Sequence, residues 1–118
     1  MKVWPQPPNL GKSKLEAILI NRLERSGLGG FVTQHRFAMP ARRWAFDLAY
    51  VYQLAAVEVE GGGWVGGRHV RGGGFAKDLT KYNEAACRGW IVLRVDGAMI
   101  EDGRAVEYVR RILKLRGE

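Results

Sequence analysis

The pattern of apolar residues between positions 44 and 60 predicts a β-hairpin. Because strand side chains alternate between the two faces of a sheet, every second residue of the first half shares one face. These residues are large and apolar: Trp44, Phe46, Leu48 and Tyr50. Asp47 falls on the opposite face, between two alanines. The pattern therefore places one acid in a strand that is otherwise apolar.

The second half of the hairpin adds two more acids, Glu58 and Glu60, which share a face by the same alternation. If the chain reverses at Tyr52–Gln53, Asp47 lies directly opposite Glu58. Carboxylates gathered in this way repel one another, and a divalent cation is a usual compensation because hard cations take oxygen ligands. The alternative is that the acids simply lie on the solvent-facing side of an antiparallel sheet.

Weaker patterns predict three helices and two more strands around the hairpin. Ser13 and Glu16 form a capping-box pattern at the start of the first helix, with Ser13 as N-cap. The predicted elements are helix 13–26, strand 31–37, strands 44–51 and 54–60, a helix from 75–78 to 88, strand 90–95 and helix 104–115. This order predicts an α/β fold with one central mixed sheet of about four strands flanked by helices.

Three details of these elements are predictions about burial. The helix after the hairpin has an apolar stripe at Phe75, Leu79, Tyr82 and Ala86. The short apolar strand 90–95 is of the kind that lies inside a sheet. Cys87 is expected to be a small core residue.

Residues 1–118 are predicted to form a single domain. Residues 1–12 are rich in proline and predict an extended arm, whereas residues 61–74 are rich in glycine and predict an irregular, mobile loop. With a single cysteine, neither a disulfide nor a zinc finger is expected. No signal peptide or membrane-spanning run is present in the sequence, which favours a cytoplasmic protein without a membrane partner.

The charge balance favours a partner that carries phosphate. The chain of 118 residues has a net charge of +7, and 13 of its 19 basic residues are arginine. The planar guanidinium group binds phosphate through two hydrogen bonds. A small basic domain with acids gathered in one place suggests a nucleic-acid enzyme more than a plain binding protein. A ribosome-associated or otherwise basic binding protein is the alternative.

This order of elements, with an acid on the first helix, Asp on one strand and Glu-x-Glu on the next, resembles the PD-(D/E)XK nuclease superfamily. Its local sequence resembles in particular small phage and bacterial members, including Holliday junction resolvases and nucleases related to the very-short-patch repair endonuclease. The resemblance is carried by Arg-Arg-Trp-Ala-Phe-Asp at 42–47, Ala-Val-Glu-Val-Glu-Gly-Gly at 56–62, the segments 67–71 and 77–83, and Gly-Trp-Ile-Val-Leu-Arg at 89–94.

The resemblance implies a restriction-endonuclease-like core and a set of metal ligands. Asp47 and Glu58 match the two acids of the motif and would hold Mg²⁺ or Mn²⁺, with the backbone carbonyl of Val59 as another ligand. Glu16 matches the acid of the first helix, which assists metal or water binding in the family. Glu24 is the rival for that role, and a simple capping-box role is the alternative for Glu16.

The chain departs from the motif at its lysine, whose position is occupied by Glu60. In the family this lysine orients the attacking water and stabilises the developing charge. Either Glu60 is a further metal ligand, or a lysine of the following helix substitutes. Lys77 and Lys81 are the two candidates, and we favour Lys81; a phosphate contact or a solvated surface lysine is the alternative.

DNA binding is expected from side chains that flank the acids in sequence: Arg42, Arg43, Trp64, Arg68, His69, Arg71, Lys77 and Lys81. The glycine-rich loop would fold over a DNA backbone, with Trp64 stacking or wedging at a base step. It lacks the GxxxxGK[ST] pattern of a P-loop, which argues against an NTPase.

The resemblance implies a Mg²⁺- or Mn²⁺-dependent endonuclease for DNA recombination or repair. The leading hypothesis is a phage-encoded Holliday junction resolvase that works in the host cytoplasm. Symmetric cutting of a four-way junction needs two sites on a two-fold axis, so this hypothesis includes a homodimer. The alternatives are a monomeric nicking or repair nuclease of the same fold and a non-catalytic nucleic-acid-binding module.

Overall fold

The computed structural model describes residues 11–61, 64–65, 68–69 and 73–117, with backbone only for 64–65, 68–69 and 73–77. The described elements are α1 (Lys12–Arg25), β1 (Val32–His35), β2 (Phe46–Tyr50), β3 (Ala55–Val59), β4 (Trp64–Val65), β5 (Arg68–His69), α2 (Gly73–Cys87), β6 (Ile91–Val95), α3 (Gly97–Asp102) and α4 (Arg104–Leu115). Residues 1–10 of the predicted extended arm, residues 62–63, 66–67 and 70–72, and Glu118 lie outside these ranges. Residues 11 and 12 of that arm instead belong to the start of α1.

The central sheet has four strands in the order β1-β2-β3-β6. Strand β2 pairs antiparallel with both β1 and β3, whereas β6 pairs parallel with β3. The parallel connection runs through α2, as parallel neighbours require a crossover. The predicted α/β class with a mixed four-stranded sheet is confirmed. The prediction that strand 90–95 lies inside the sheet is wrong, because β6 is an edge strand among those described.

The hairpin has the predicted register. Leu48 pairs with Val57, and Tyr50 pairs with Ala55, with the chain reversing through residues 51–54. Counting outward from these pairs places position 47 opposite 58. Both strands are buried along their whole length, so the hairpin is the centre of the sheet and has no solvent-facing side.

Helices cover both faces of the sheet. The larger core cluster joins α1, α3 and α4 to one face, through residues that include Leu19, Leu48, Val57 and Val109. The smaller cluster lies on the other face, under α2, and consists of Phe46, Ala49, Ala56, Ala85 and Trp90. Small alanines on the strands allow α2 to pack closely there, and Phe37 stacks on Phe46 with ring centroids 4.1 Å apart.

The predicted alternation fails at the start of β2. Phe46 packs in the smaller cluster together with Ala49, whereas Leu48 and Tyr50 pack in the larger one. Phe46 therefore does not share a face with Leu48 and Tyr50. The backbone N–H of Asp47 donates to a side-chain carboxylate, Glu58 Oε2. The first residues of the strand are thus held by side-chain contacts as well as by the ladder.

The capping box predicted at the start of the first helix is wrong. Helix α1 begins at Lys12 with Gly11 as its N-cap, and no side chain caps it. Ser13 lies inside the helix and is exposed. Glu16 is therefore released from a capping role and is available to the site described below.

The stripe predicted for α2 is also wrong in part. Ala85 is its fully buried residue, whereas Leu79 is half exposed and Ala86 is exposed. Cys87 is exposed, not a core residue. The aliphatic pattern places the helix correctly but misjudges which side of it contacts the sheet.

Two local elements were not predicted. Asp96 caps the short helix α3 by accepting from the N–H of Met99. Within the glycine-rich segment, Trp64–Val65 pairs antiparallel with Arg68–His69, so part of the segment is a short ribbon and not an irregular loop.

The last helix, α4, has the predicted bounds. No described helix has the length and apolarity needed to cross a bilayer.

Candidate active site

Asp47 and Glu58 are the only two charged residues found buried among those described, and they lie on adjacent strands. Each carboxylate accepts a backbone N–H from the other strand. Asp47 Oδ2 accepts from Val59 N–H at 2.8 Å, and Glu58 Oε2 accepts from Asp47 N–H at 2.7 Å. This reciprocal pair fixes both side chains where β2 begins and β3 ends.

A lysine ammonium compensates each of these carboxylates. Lys12 Nζ lies 2.9 Å from Asp47 Oδ1, and Lys81 Nζ lies 2.6 Å from Glu58 Oε1. Burying a carboxylate is costly unless it is paired and hydrogen-bonded. In the described part of the chain, no buried side-chain nitrogen or oxygen lacks a hydrogen-bond partner.

Helix α2 brings two polar side chains to Glu58. Lys81 also donates to the carbonyl of Ala45 at 2.9 Å, and the Tyr82 hydroxyl donates to Glu58 Oε1 at 3.0 Å. Burial, together with the nearby charge and hydrogen bond of Glu58, raises the pKa of Tyr82. Tyr82 is therefore a permanent donor that holds one oxygen of Glu58.

Helix α1 brings Lys12 and Glu16 to Asp47. The two residues are four apart, so they lie on the same face of the helix. Partial burial, followed by the negative charge of Asp47, raises the pKa of Glu16. Burial lowers the pKa of Lys12, but its hydrogen bond to Asp47 and the charges of the three acids raise it overall. The site therefore joins three acids and two lysines from two strands and two helices.

Glu60 does not join this cluster through the contacts of its carboxylate. Its Oε2 accepts from Arg94 Nε at 2.9 Å, and the side chain is nearly half exposed. Its backbone N–H donates to Val95 on β6 at 2.7 Å. The guanidinium of Arg94 also lies over the Tyr82 ring, 4.9 Å from the centroid. Glu60 thus pairs with an arginine that also contacts the ring of Tyr82.

The rival residues occupy different places. Glu24 is exposed and lies eight residues after Glu16, about 12 Å further along α1. Lys77 lies on α2 one turn before Lys81, and only its backbone is described. Among the candidate side chains that the structure describes, Glu16 interacts with Asp47, and Lys81 interacts with Glu58.

The predicted DNA-binding residues fall into two groups. Arg42 and Arg43 are exposed and precede β2 by a few residues, with Arg42 over the Trp44 ring at 5.4 Å from its centroid. For Trp64, Arg68 and His69 the structure describes the backbone, in the short ribbon after β3. Arg71 lies outside the described residues.

Sequence reasoning missed Lys12 and the hydroxyl role of Tyr82. Lys12 was assigned to the extended arm, although its spacing of four from Glu16 was a usable signal. Tyr82 was expected to pack as an apolar residue, and its ring does carry the cation contact of Arg94 while its hydroxyl reaches Glu58. Neither contact follows from a local pattern, because each joins a helix to a distant strand.

The donor set of the site fits a hard divalent cation in its chemistry. Carboxylate oxygens are the ligands that Mg²⁺ and Mn²⁺ take, and the site already attracts a cation, since Lys12 pairs with Asp47 next to two other acids. The described residues contain no group of three or more His, Cys, Asp or Glu side chains arranged to hold a metal ion. Fit therefore rests on Asp47, Glu58 and one backbone or water ligand.

Comparisons of the chain with models of protein families, with curated protein sequences and with solved structures give no match.

Proposed function

We propose that this chain is a metal-dependent endonuclease that hydrolyses phosphodiester bonds in DNA. One observation carries the proposal: Asp47 and Glu58 are buried on adjacent strands, locked by backbone N–H groups, and served by a lysine from the following helix. A buried salt bridge contributes little to stability compared with apolar packing. Functional sites, in contrast, are where charges are held in such surroundings.

The resemblance to PD-(D/E)XK nucleases supports the same reading. Asp47 and Glu58, which match the two acids of the motif, lie on adjacent strands of the hairpin. The register that pairs Leu48 with Val57 places position 47 opposite position 58. Lys81, which pairs with Glu58, would supply the ammonium that the motif places at position 60. The geometry therefore favours substitution by a helix lysine over a metal-binding role for Glu60, which pairs with Arg94.

Asp47, Glu58 and the carbonyl of Val59 would hold Mg²⁺ or Mn²⁺. When bound, the ion polarises the phosphate and lowers the pKa of a coordinated water. Lys81 would orient the attacking water and donate to the negative charge that develops on the phosphate oxygens. Tyr82 keeps Glu58 oriented. Glu16, whose charge interacts with that of Asp47, would assist metal or water binding, as the resemblance implies.

Attack of water on phosphorus and departure of the 3′ oxygen would leave a 5′ phosphate and a 3′ hydroxyl, the product pattern that the resemblance implies. The charge of +7 attracts the polyanionic substrate. Arg42 and Arg43, next to the start of β2, and the ribbon of Trp64, Arg68 and His69 flank the acids along the chain. Arg71, Lys77 and Lys81 complete the proposed DNA-binding set.

The finer form of the proposal is a Holliday junction resolvase that acts as a homodimer. No sequence-reading element is evident in the described part of the chain, which favours recognition of DNA shape and charge over base edges. A four-way junction with two-fold symmetry matches two copies of one site. A monomeric nicking or repair nuclease shares the same chemistry and differs in oligomeric state.

The test is cleavage of an immobile four-way junction and of a linear duplex with the same arm sequences, in Mg²⁺ or EDTA. We expect paired, symmetric nicks near the junction centre that require Mg²⁺ and are lost in Glu58→Gln. The matched control is Glu84→Gln, which neutralises an exposed carboxylate paired with Arg88 on α2 and should cut like the parent protein.

Each other outcome discards part of the proposal. Equal cutting of duplex and junction would keep the nuclease and remove junction selectivity. A strict monomer that nicks one strand would favour the repair nuclease. Tight DNA binding without cutting in Mg²⁺ or Mn²⁺ would favour the non-catalytic binding module. The sequence feature that favours this module is the glutamate at position 60, where the motif has its lysine.

A further inference from the structure

The two lysines of the site are held differently. Lys81 Nζ makes two hydrogen bonds, to Glu58 and to the carbonyl of Ala45, and its side chain is 14% exposed. Among the described residues, Lys12 Nζ contacts Asp47 Oδ1, and its side chain is 50% exposed. Lys81 is therefore anchored within the site, whereas Lys12 reaches Asp47 from solvent and loses less when it leaves.

The position of Lys12 is fixed by the backbone and not by its side chain. It is the first residue of α1, after the N-cap Gly11. The helix start packs against the chain leaving β3, since a Cβ on Gly61 would lie 3.4 Å from Lys12 Cβ. The long, flexible stem can therefore swing while the helix stays in place, and the ammonium can leave Asp47 without a change of fold.

The place that the Lys12 ammonium occupies is one where a cation is favoured. Its charge interacts with Asp47, Glu58 and Glu16 together. Asp47 Oδ2 already accepts the N–H of Val59, so Oδ1 is the more open oxygen for another cation, and Lys12 lies against it. A divalent ion that binds Asp47 through Oδ1 must therefore compete with Lys12.

We propose that Lys12 is an exchangeable counterion of Asp47, which neutralises the site in the metal-free protein and is displaced by the divalent cation. This inference rests on the proposed function, because it takes Asp47 as a metal ligand. It assigns Lys12 and Lys81 different tasks: Lys81 stays on Glu58 with metal bound, whereas Lys12 leaves Asp47. It also explains how two buried acids are tolerated before metal binds.

The competition is tested by Mn²⁺ binding, measured by calorimetry and by paramagnetic resonance of free Mn²⁺, in Lys12→Met. Loss of a competing cation should tighten Mn²⁺ binding on the order of tenfold. Lys12→Met should also melt at a lower temperature than the parent protein in EDTA, because Asp47 loses its partner, and should gain more in melting temperature when Mn²⁺ is added.

Two controls separate the competition from a general charge effect. Lys14→Met removes an exposed lysine two residues further along α1 and should leave Mn²⁺ affinity within about twofold of the parent value. Lys12→Arg keeps a cation beside Asp47 and should not tighten Mn²⁺ binding. Circular dichroism in EDTA checks that each variant is folded, and Lys12→Gln provides a second neutral variant.

The outcomes distinguish this inference from the proposed function. If the parent protein binds no Mn²⁺, or Asp47→Asn binds it equally well, the metal site fails and the inference fails with it. If Asp47→Asn abolishes Mn²⁺ binding while Lys12→Met binds Mn²⁺ unchanged or more weakly, the proposed metal site stands and the exchange of Lys12 is wrong.

Discussion

At the scale of single residues, the site is defined by the groups that donate hydrogen bonds to the two buried carboxylates. One carboxylate oxygen of Asp47 and one of Glu58 accept a backbone N–H of the neighbouring strand, which fixes the two side-chain rotamers. The other oxygen of each faces a lysine. Backbone donors do not move when a ligand arrives, so the carboxylates are preorganised, which is what electrostatic catalysis requires.

Glu16 is the acid that this arrangement compensates least. Burial and the charge of Asp47 raise its pKa, so its ionised form is disfavoured in the folded protein. Glu16→Gln should therefore raise the free energy of unfolding at pH 7 in EDTA, by less than about 1 kcal/mol because the side chain is partly exposed. Chemical denaturation checks this value.

The pH dependence follows from the direction of the shift. As the pH falls through the raised pKa, the folded parent protein takes up a proton and becomes more stable, whereas the Gln variant does not. The advantage of Glu16→Gln should shrink on acidification. Glu24→Gln, on the exposed part of the same helix, should give a smaller change at pH 7. A destabilised Glu16→Gln would contradict the repulsion from Asp47.

At the scale of elements, two helices deliver the cations to the acids of one hairpin. Helix α1 reaches the hairpin from the face of the larger core cluster, and α2 reaches it from the face of the smaller cluster, which contains Phe46 and Ala85. Asp47 and Glu58 are thus paired with lysines of other elements, and both ion pairs form only when both helices are docked. Undocking of either helix should therefore abolish the proposed cleavage.

The helix α2 carries the lysine to which we assign the catalytic role. Lys81→Met should lower cleavage by about 100-fold or more, the range of a positioned proton-transfer or charge-stabilising group. It should also lower the free energy of unfolding by about 1–3 kcal/mol, since Glu58 loses its ammonium partner while staying buried. Single-turnover cleavage and denaturant titration measure the two effects.

Lys77→Met is the matched control, because Lys77 is the other lysine of the same helix and lies one turn earlier. It should weaken DNA binding and keep the cleavage rate at saturating DNA. A variant pair with the reverse behaviour, Lys81→Met active and Lys77→Met inactive, would transfer the catalytic role to Lys77.

At the scale of the whole molecule, charge separates into an acidic site and a basic remainder. The chain has a net charge of +7, and 19 basic residues stand against 12 acidic ones. Because the acids of the site are buried or paired, their charge is compensated locally. The field seen by an approaching polyanion is therefore set by exposed arginines and lysines.

We expect DNA affinity to fall linearly with salt on a log–log scale, as phosphate contacts release counterions. With about four to six such contacts, the slope would be roughly −4 to −5. Fluorescence anisotropy of a labelled junction in Ca²⁺ measures it. Glu84→Gln should leave the slope unchanged, whereas Arg42→Gln with Arg43→Gln should reduce it by about two. An affinity that does not change with salt would exclude a partner that is bound through its phosphate groups.

The sequence by itself determined the hairpin, its register and the acid pair. A strand pattern has a period of two, and a short turn at the middle leaves one register that buries the apolar side chains. Asp47 and Glu58 are therefore opposed by local information alone. The bounds of α4 and the mixed four-stranded sheet followed in the same way, from periodicity and from the order of the elements.

Only the tertiary structure decided what surrounds the pair. The approach of Lys12, the hydroxyl of Tyr82, the pairing of Glu60 with Arg94 and the edge position of β6 all depend on how helices dock on a finished sheet. Such contacts join residues far apart in the chain, and no local period encodes them. The start of α1 at Lys12 was decided in the same way, because the close packing of Gly61 on Lys12 adds tertiary contact to a helix end that no side chain caps.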